Sequence, residues 1–149
     1  MKKKTFFEYF FIILFGVIIV LFLGITTYQS IVTSDWYIQN ERKKEFQEDI
    51  IKLNDEGIEY IEYYNAVTNT EEYYYDIDVS IFSEMACEDY SKTLNQLERH
   101  EVFSGDRISV FFEDGSLIDF YITDDFGVYW DTMKIEADNL IAWYLTVHN

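Results

Sequence analysis

A cysteine and a histidine are the side chains of this chain that could form a nucleophile and base pair. Cys87 and His100 both fall in a helix predicted over residues 83–100. A rise of 1.5 Å per residue would separate them by about 20 Å, whereas a nucleophile and its base must lie within hydrogen-bond reach. The spacing therefore argues against a dyad. We expect Cys87 on a helix flank, His100 near a helix C-terminus and His148 exposed.

Carboxylates are abundant enough to suggest a cation site or an acid and base pair. Residues 76–80 read Asp-x-Asp-x-Ser, like the start of a calcium loop, but lack the following glycine and the distal glutamate. A loose calcium site is the alternative to solvated loop acids at a turn flanked by Asp119, Asp124, Asp125 and Asp131. Glycoside hydrolysis needs two carboxylates at a set distance in a cleft, which abundance alone does not supply. We therefore predict no catalytic residue, no cofactor and no metal site.

The stretch from residue 58 to residue 78 concentrates six tyrosines and six acidic residues without a lysine or arginine. Alternation over residues 72–81 predicts a strand with Tyr73 and Tyr75 on its apolar face. Exposed tyrosines offer rigid contact area, and carboxylates select a basic partner. The predicted partner-binding residues are Tyr63, Tyr64, Tyr74, Asp76 and Asp78. The alternative is a solvated strand face without a partner.

Charge divides the chain into two unlike parts. The whole chain carries a formal charge of −17, but residues 53–149 hold four basic residues against twenty-two acidic ones, a balance of −18. Such a surface repels nucleic acid and anionic lipid and attracts basic proteins or peptides. The composition thus excludes nucleic-acid binding and indicates a basic protein or peptide as partner.

The N-terminal segment is long and apolar enough to serve as a membrane anchor. An uncharged run from Tyr9 to Ser34 follows three lysines, and about 20 helical residues cross a bilayer. A cleaved signal peptide is the alternative, but its apolar region is shorter and ends in small residues. We predict a cytoplasmic tail at 1–5, a transmembrane signal anchor at 6–28, a helical stalk at 29–45 and an extracytoplasmic domain at 46–149. The lysines place the N-terminus inside.

Periodicity beyond the anchor predicts an α+β domain of one or two helices packed on an antiparallel sheet. A helix is expected over 34–56, capped by Ser34 or Asp35 and stopped by Gly57, with a stripe of Phe46, Ile50 and Leu53. Hairpins are expected over 58–81 and around Asp114-Gly115, and a strand over 126–133. Residues 139–149 suit either a strand or a helix, and their β-branched and aromatic content favours a strand. The arrangement is similar in architecture to cystatin-like and NTF2-like small domains, which implies no function.

These observations together predict a single-pass membrane protein that acts by binding. The chain uses many residue types with A/T-rich codons, namely Phe, Tyr, Ile, Asn and Lys, and this usage suggests a bacterial genome rich in A and T. An outward-facing acidic domain suits an accessory, a regulatory or an immunity and exclusion role. The alternative is a small membrane-tethered hydrolase or cation-dependent enzyme that uses clustered carboxylates. A cleft that gathers such carboxylates would favour the enzyme, and a tyrosine-rich face would favour the binding protein.

Overall fold

A computed structural model of the protein describes residues 6–55, 57–87, 89–90, 92 and 94–148. The chain divides into two compact units between Gln39 and Asn40. The predicted cytoplasmic tail at 1–5 lies outside the described residues.

The first unit is dominated by one long helix. Helix α1 spans Phe6–Val32, and its portion Tyr9–Val32 is long and apolar enough to cross a membrane. Thr26, Thr27 and Thr33 donate their hydroxyls to carbonyls one helical turn back, so the polar residues near the helix end are satisfied internally. A second helix, α2, begins at Asp35. The Ser34 hydroxyl accepts the backbone N–H of Tyr37 at 3.3 Å, which confirms the predicted N-cap.

Helix α2 spans Asp35–Asp55 and supplies the first core residues of the second unit. Phe46 and Leu53 are buried and Ile50 packs against the same core, as the predicted apolar stripe requires. The Trp130 indole N–H donates to Asp49 at 2.8 Å, which ties the helix to the sheet.

Six antiparallel strands form one sheet in the order β2-β1-β3-β4-β5-β6. The strands are β1 (Ile58–Asn65), β2 (Thr70–Tyr74), β3 (Asp106–Phe112), β4 (Leu117–Ile122), β5 (Val128–Trp130) and β6 (Met133–Ile135). The hairpin around Asp114-Gly115 joins β3 to β4, as predicted, with Gly115 at a φ of 81°. The α+β class and the antiparallel sheet are therefore confirmed.

The two faces of the sheet differ in their cover. The inner face carries the core and packs against α2, a 3₁₀ helix at Val79–Phe82 and a C-terminal helix at Asp138–His148. Helix α3 (Gln96–Phe103) lies against the outer face at β4, where the Phe103 and Tyr121 rings are 4.8 Å apart. We name the C-terminal helix α4.

The helix predicted over 83–100 is confirmed from Gln96 onward and is wrong at its start. Ala86 instead forms a short antiparallel bridge to Glu136, and α3 begins only at Gln96. A capping box fixes that start, because Asn95 accepts the N–H groups of Leu97 and Glu98 while Glu98 accepts the N–H of Asn95. Cys87 therefore lies outside α3, and the helical separation expected for Cys87 and His100 does not apply.

The prediction of a strand at the C-terminus is also wrong. Residues Asp138–His148 form α4, with Leu140 and Tyr144 buried four residues apart on one helix face. The predicted strand over 126–133 is shorter than expected, since Asp131 at a φ of 51° turns the chain between β5 and β6.

Candidate functional site

Four aromatic rings cluster on the outer face of the sheet, at the end away from α3. Tyr60 of β1 stacks on Phe111 of β3 with ring centroids 4.6 Å apart. Tyr73 of β2 and Tyr75, just beyond that strand, lie 5.9 and 5.8 Å from the Tyr60 ring. Antiparallel register explains the cluster, because Glu62 pairs with both Tyr73 and Ser109 and the strands keep their outer residues side by side. We call these four residues the tyrosine patch.

The patch is open to solvent. Tyr73 is 48% exposed and Tyr75 is 65% exposed, while Tyr60 and Phe111 form its half-buried base. Leu117, which pairs with Phe111 on the next strand, is also exposed and extends the apolar area. An exposed aromatic cluster of this kind offers apolar contact area with phenol groups at its edge.

Carboxylates lie beside the patch and raise the pKa of two of its tyrosines, Tyr60 and Tyr73. The Tyr73 hydroxyl donates to Glu71 at 3.0 Å, and this bond, with partial desolvation, raises the pKa of Tyr73 to about 12. Desolvation and the nearby charges of Glu59 and Glu62 raise the pKa of Tyr60. Near the patch, Arg107 forms a 2.9 Å ion pair with Glu62, so the cation is neutralised. Tyr60 and Tyr73 therefore present neutral phenols beside acidic side chains.

The predicted register of β2 is wrong by one residue. Tyr74 pairs with Ile61 and faces the inner side, where its ring meets Trp143 of α4 at 5.2 Å. Tyr73 therefore faces outward, and the exposed Tyr75 lies beside it in the patch. The physical reason is that β2 contains no aliphatic side chain, so its face is set by pairing with Ile61 on β1.

Tyr63 is not at the surface either. It is 2% exposed and faces the core from β1. Tyr64 does lie on the outer face, where its hydroxyl donates to Asn69 at 2.8 Å and the Arg107 guanidinium lies 5.7 Å from its ring centroid. Tyr64 thus lies on the same outer face as the patch, paired with Arg107, whereas Tyr63 lies on the opposite face of the sheet.

Asp76 and Asp78 follow the strand rather than belonging to it. β2 ends at Tyr74, and Asp76 has a positive φ of 56°. Asp78 caps the 3₁₀ helix, accepting the backbone N–H of Ser80 at 2.9 Å. Hydrogen bonding to Ser80 lowers the pKa of Asp78, which keeps its carboxylate charged. The prediction that Asp76 and Asp78 lie on the solvent face of a strand is therefore wrong. Of the five predicted partner-binding residues, Tyr64 lies on the outer face that carries the patch.

A buried polar network lies at the opposite end of the sheet. Tyr63 and Tyr144 donate their hydroxyls to Oδ2 of Asp106 at 2.7 and 2.8 Å, and the Ala66 N–H donates to Oδ1 at 2.8 Å. Burial, with the bond to Asp106, raises the pKa of both tyrosines above the ordinary phenol value. Nδ1 of His148 lies 2.6 Å from the Tyr63 hydroxyl. The network joins β1, β3 and α4 and satisfies a carboxylate that is only 7% exposed.

No group of three or more histidine, cysteine or acidic side chains is placed to hold a metal ion among the residues that the structure describes. Asp119 instead accepts the Ser109 hydroxyl on the outer face, and Asp125 accepts the Thr123 hydroxyl within its turn. Two of the carboxylates that suggested calcium, Asp119 and Asp125, therefore have hydrogen-bonding roles of their own.

The four patch residues all differ from the predicted partner-binding residues: Tyr73 and Tyr75 were expected on the apolar face of their strand, and Tyr60 and Phe111 were not singled out. The position of Tyr60 could have been predicted from Ile61. An isoleucine in a strand marks the core face, so the residues next to it face outward. Phe111 had no comparable signal, since it lies in an uninterrupted apolar run with Val110 and Phe112.

The search for relatives identifies no function for the chain. No protein-family model matches it, and neither a curated protein nor a solved structure does.

Proposed function

We propose that this protein is a single-pass, membrane-anchored bacterial surface protein whose acidic domain binds a basic protein outside the membrane. It acts by binding and not by catalysis. An accessory, a regulatory and an immunity or exclusion role all fit this activity.

The observation that carries the proposal is the tyrosine patch. Tyrosine gives a large contact area at low entropic cost, because the ring moves about only two side-chain torsions. Protonated phenols also donate hydrogen bonds at the edge of an apolar contact. The exposed rings of Tyr73 and Tyr75 lie next to the stacked pair of Tyr60 and Phe111. Such a group of aromatic rings is typical of the centre of a protein–protein interface.

Charge supports a basic partner. Glu59 and Glu71 lie beside the patch, Glu62 is paired with Arg107, and residues 53–149 carry a balance of −18. Such a field accelerates encounters with a positively charged surface and disfavours acidic competitors. The partner's contact surface is thus expected to place lysine or arginine around an apolar centre.

The anchor reading rests on α1. Its apolar stretch Tyr9–Val32 matches the length of a bilayer core. Lys2, Lys3 and Lys4 precede the span directly, whereas the basic residues after it are interleaved with Glu41 and Glu45. This asymmetry favours an inside N-terminus and an outside domain.

Site-specific photocrosslinking in intact cells tests the proposal. A photoreactive phenylalanine analogue replaces Tyr75 in one variant and Leu97, an 82% exposed residue of α3, in the matched control. We expect Tyr75 to yield a discrete adduct with a protein whose contact surface is basic, and Leu97 to yield none. The absence of an adduct at Tyr75, or the same adduct from both positions, would contradict the proposed surface.

A further inference from the structure

The turn between β4 and β5 holds a phenylalanine in a backbone conformation that normally takes glycine. Phe126 has a φ of 62°, and its N–H donates to the Thr123 carbonyl at 2.8 Å. The Thr123 N–H in turn donates to the Gly127 carbonyl at 3.0 Å. This pattern fits a three-residue hairpin loop whose last residue is left-handed. A bulky side chain at such a φ is an outlier.

The turn between β3 and β4 shows what the same geometry uses elsewhere in this chain. Gly115 donates its N–H to the Phe112 carbonyl at 2.9 Å, and Phe112 donates to the Ser116 carbonyl at 3.1 Å. The hydrogen bonds are equivalent, and the left-handed position is a glycine at a φ of 81°. Phe126 therefore carries a conformational cost that Gly115 avoids.

The Phe126 ring forms one wall of a pocket of about 250 Å³. The ring is 51% exposed and lies edge to face with Tyr144, with centroids 6.4 Å apart. Asp106 lines the same pocket and is buried, while the exposed Asp124 stands at its rim. His148 also lines the pocket, and no lysine or arginine is among the residues that line it in the described chain.

Aromatic walls with carboxylates at hand are the chemistry that recognises organic cations. Oδ2 of Asp106 accepts two hydroxyls and lies 3.5 Å from Nδ1 of His148, whereas Oδ1 accepts the Ala66 N–H. Because each carboxylate oxygen has about two lone-pair sites, Oδ1 keeps roughly one site for a further N–H donor. A hard metal ion would instead require about six or more oxygen ligands, which aromatic walls do not provide. We propose that this pocket binds an alkylammonium group, carried by a free amine or by a lysine side chain.

This site is separate from the tyrosine patch. Asp106 begins β3 and Phe111 lies five residues further on, about 17 Å along the strand and on the opposite face of the sheet. The ammonium site therefore stands or fails independently of the proposed function.

An NMR titration of the full chain in detergent micelles tests the site. The probes are n-butylammonium, Nα-acetyl-lysine amide and, as the uncharged control, n-butanol, at about pH 8, where alkylammonium groups are protonated. We expect saturable shifts of the Ala66 and Phe126 amides with n-butylammonium and none with n-butanol. Binding of the lysine derivative as well would assign a lysine side chain as an occupant, whereas binding of the amine alone would assign a free amine.

Three substitutions at the pocket and one control far from it separate ligand binding from folding. Phe126→Gly removes the ring but suits the left-handed φ, so the fold is kept while n-butylammonium binding weakens about 3- to 30-fold. Phe126→Leu keeps apolar bulk and should lose a similar factor. Asp124→Asn should weaken binding by up to about fivefold, whereas Glu59→Gln, an equal charge change at the far end of the sheet, should not. Unchanged binding in Phe126→Gly, equal affinity for n-butanol, or no saturable shift would overturn the proposal.

Discussion

Tyr63 and Tyr75 show how one residue type takes opposite roles within one hairpin. Tyr63 is buried and donates its hydroxyl to Asp106 at 2.7 Å, whereas Tyr75 is 65% exposed in the patch. Removing a hydroxyl from a buried network leaves a polar partner less satisfied, while removing one from an exposed ring costs little.

We therefore predict that Tyr63→Phe lowers the free energy of unfolding by about 1–3 kcal/mol, because Asp106 loses one of its hydrogen-bond donors. Tyr75→Phe is the control and should change stability by less than about 0.5 kcal/mol. Urea unfolding of the full chain in detergent, followed by tryptophan fluorescence, measures both. Equal stability of the two variants would mean that the Asp106 network does not hold the fold together.

For single residues, the sequence shows which side chains a strand contains but does not always show which face of the sheet each side chain occupies. Ile61 marks the core face of β1 reliably, but the run of residues 70–75 contains threonine, glutamate and tyrosine alone. Tyrosine suits both a core and a surface, so alternation within this run fits either register. Its orientation depends on pairing with β1, which is a tertiary contact and is not written in the local pattern.

Among the elements, the contact of α2 with the β3–β4 turn predicts a pH effect. Lys52 donates to Asp114 at 2.7 Å and to Ser116 at 2.5 Å. The Lys52 ammonium, with hydrogen bonds from Ser116, holds the pKa of Asp114 far below its usual range. The folded pKa is thus lower than the unfolded value of about 3.9, so the folded state binds fewer protons in acid.

The stabilisation that Asp114 provides is therefore complete above about pH 4 and is lost as the pH falls toward the folded pKa. Asp114→Asn keeps a good residue for the turn before Gly115 but cannot ionise. We predict a shallower loss of stability between about pH 4 and pH 2 in this variant than in the parent chain, because other carboxylates titrate equally in both. Acid unfolding monitored by circular dichroism measures the difference, and identical pH profiles would rule out this contribution.

Elements with complete local signals were predicted, and those without them were not. Helix α2 has a serine cap, a regular apolar stripe and a glycine stop, and the β3–β4 hairpin has Asp114-Gly115 between alternating runs. The segment from Ala86 to Asn95 carries helical spacing, yet Ala86 pairs with Glu136 across fifty residues. The apolar residues of 138–148 fit both the two-residue period of a strand and the 3.6-residue period of a helix. The helix is the one that buries Leu140 and Tyr144 on the same face.

For the whole molecule, the division into an apolar segment and an acidic domain follows from composition alone. The compact second unit begins at Asn40, and its charge and aromatic content are evident in the printed sequence. The exposure of the outer face that carries the tyrosine patch could not be predicted from the sequence, because it depends on both α2 and α4 packing on the inner face.

The anchor proposal predicts that the apolar segment stays attached to the domain. A span of bilayer length without small residues at a cleavage position is a poor substrate for removal. Intact-mass measurement of the protein extracted from membranes should therefore find α1 retained. A mature species beginning between Thr27 and Asp35 would show that the segment is a cleaved signal peptide.

The central claim is that the tyrosine patch binds a basic protein, and the affinity of the membrane-embedded chain for its crosslinked partner tests it most directly. We predict that Tyr75→Ala weakens this affinity by about 5- to 30-fold, as expected for an aromatic anchor, while the unfolding free energy stays within about 0.5 kcal/mol of the parent value. Leu97→Ala, an exposed apolar change on α3, should leave the affinity unchanged. Equal affinities for Tyr75→Ala, Leu97→Ala and the parent chain would contradict the account.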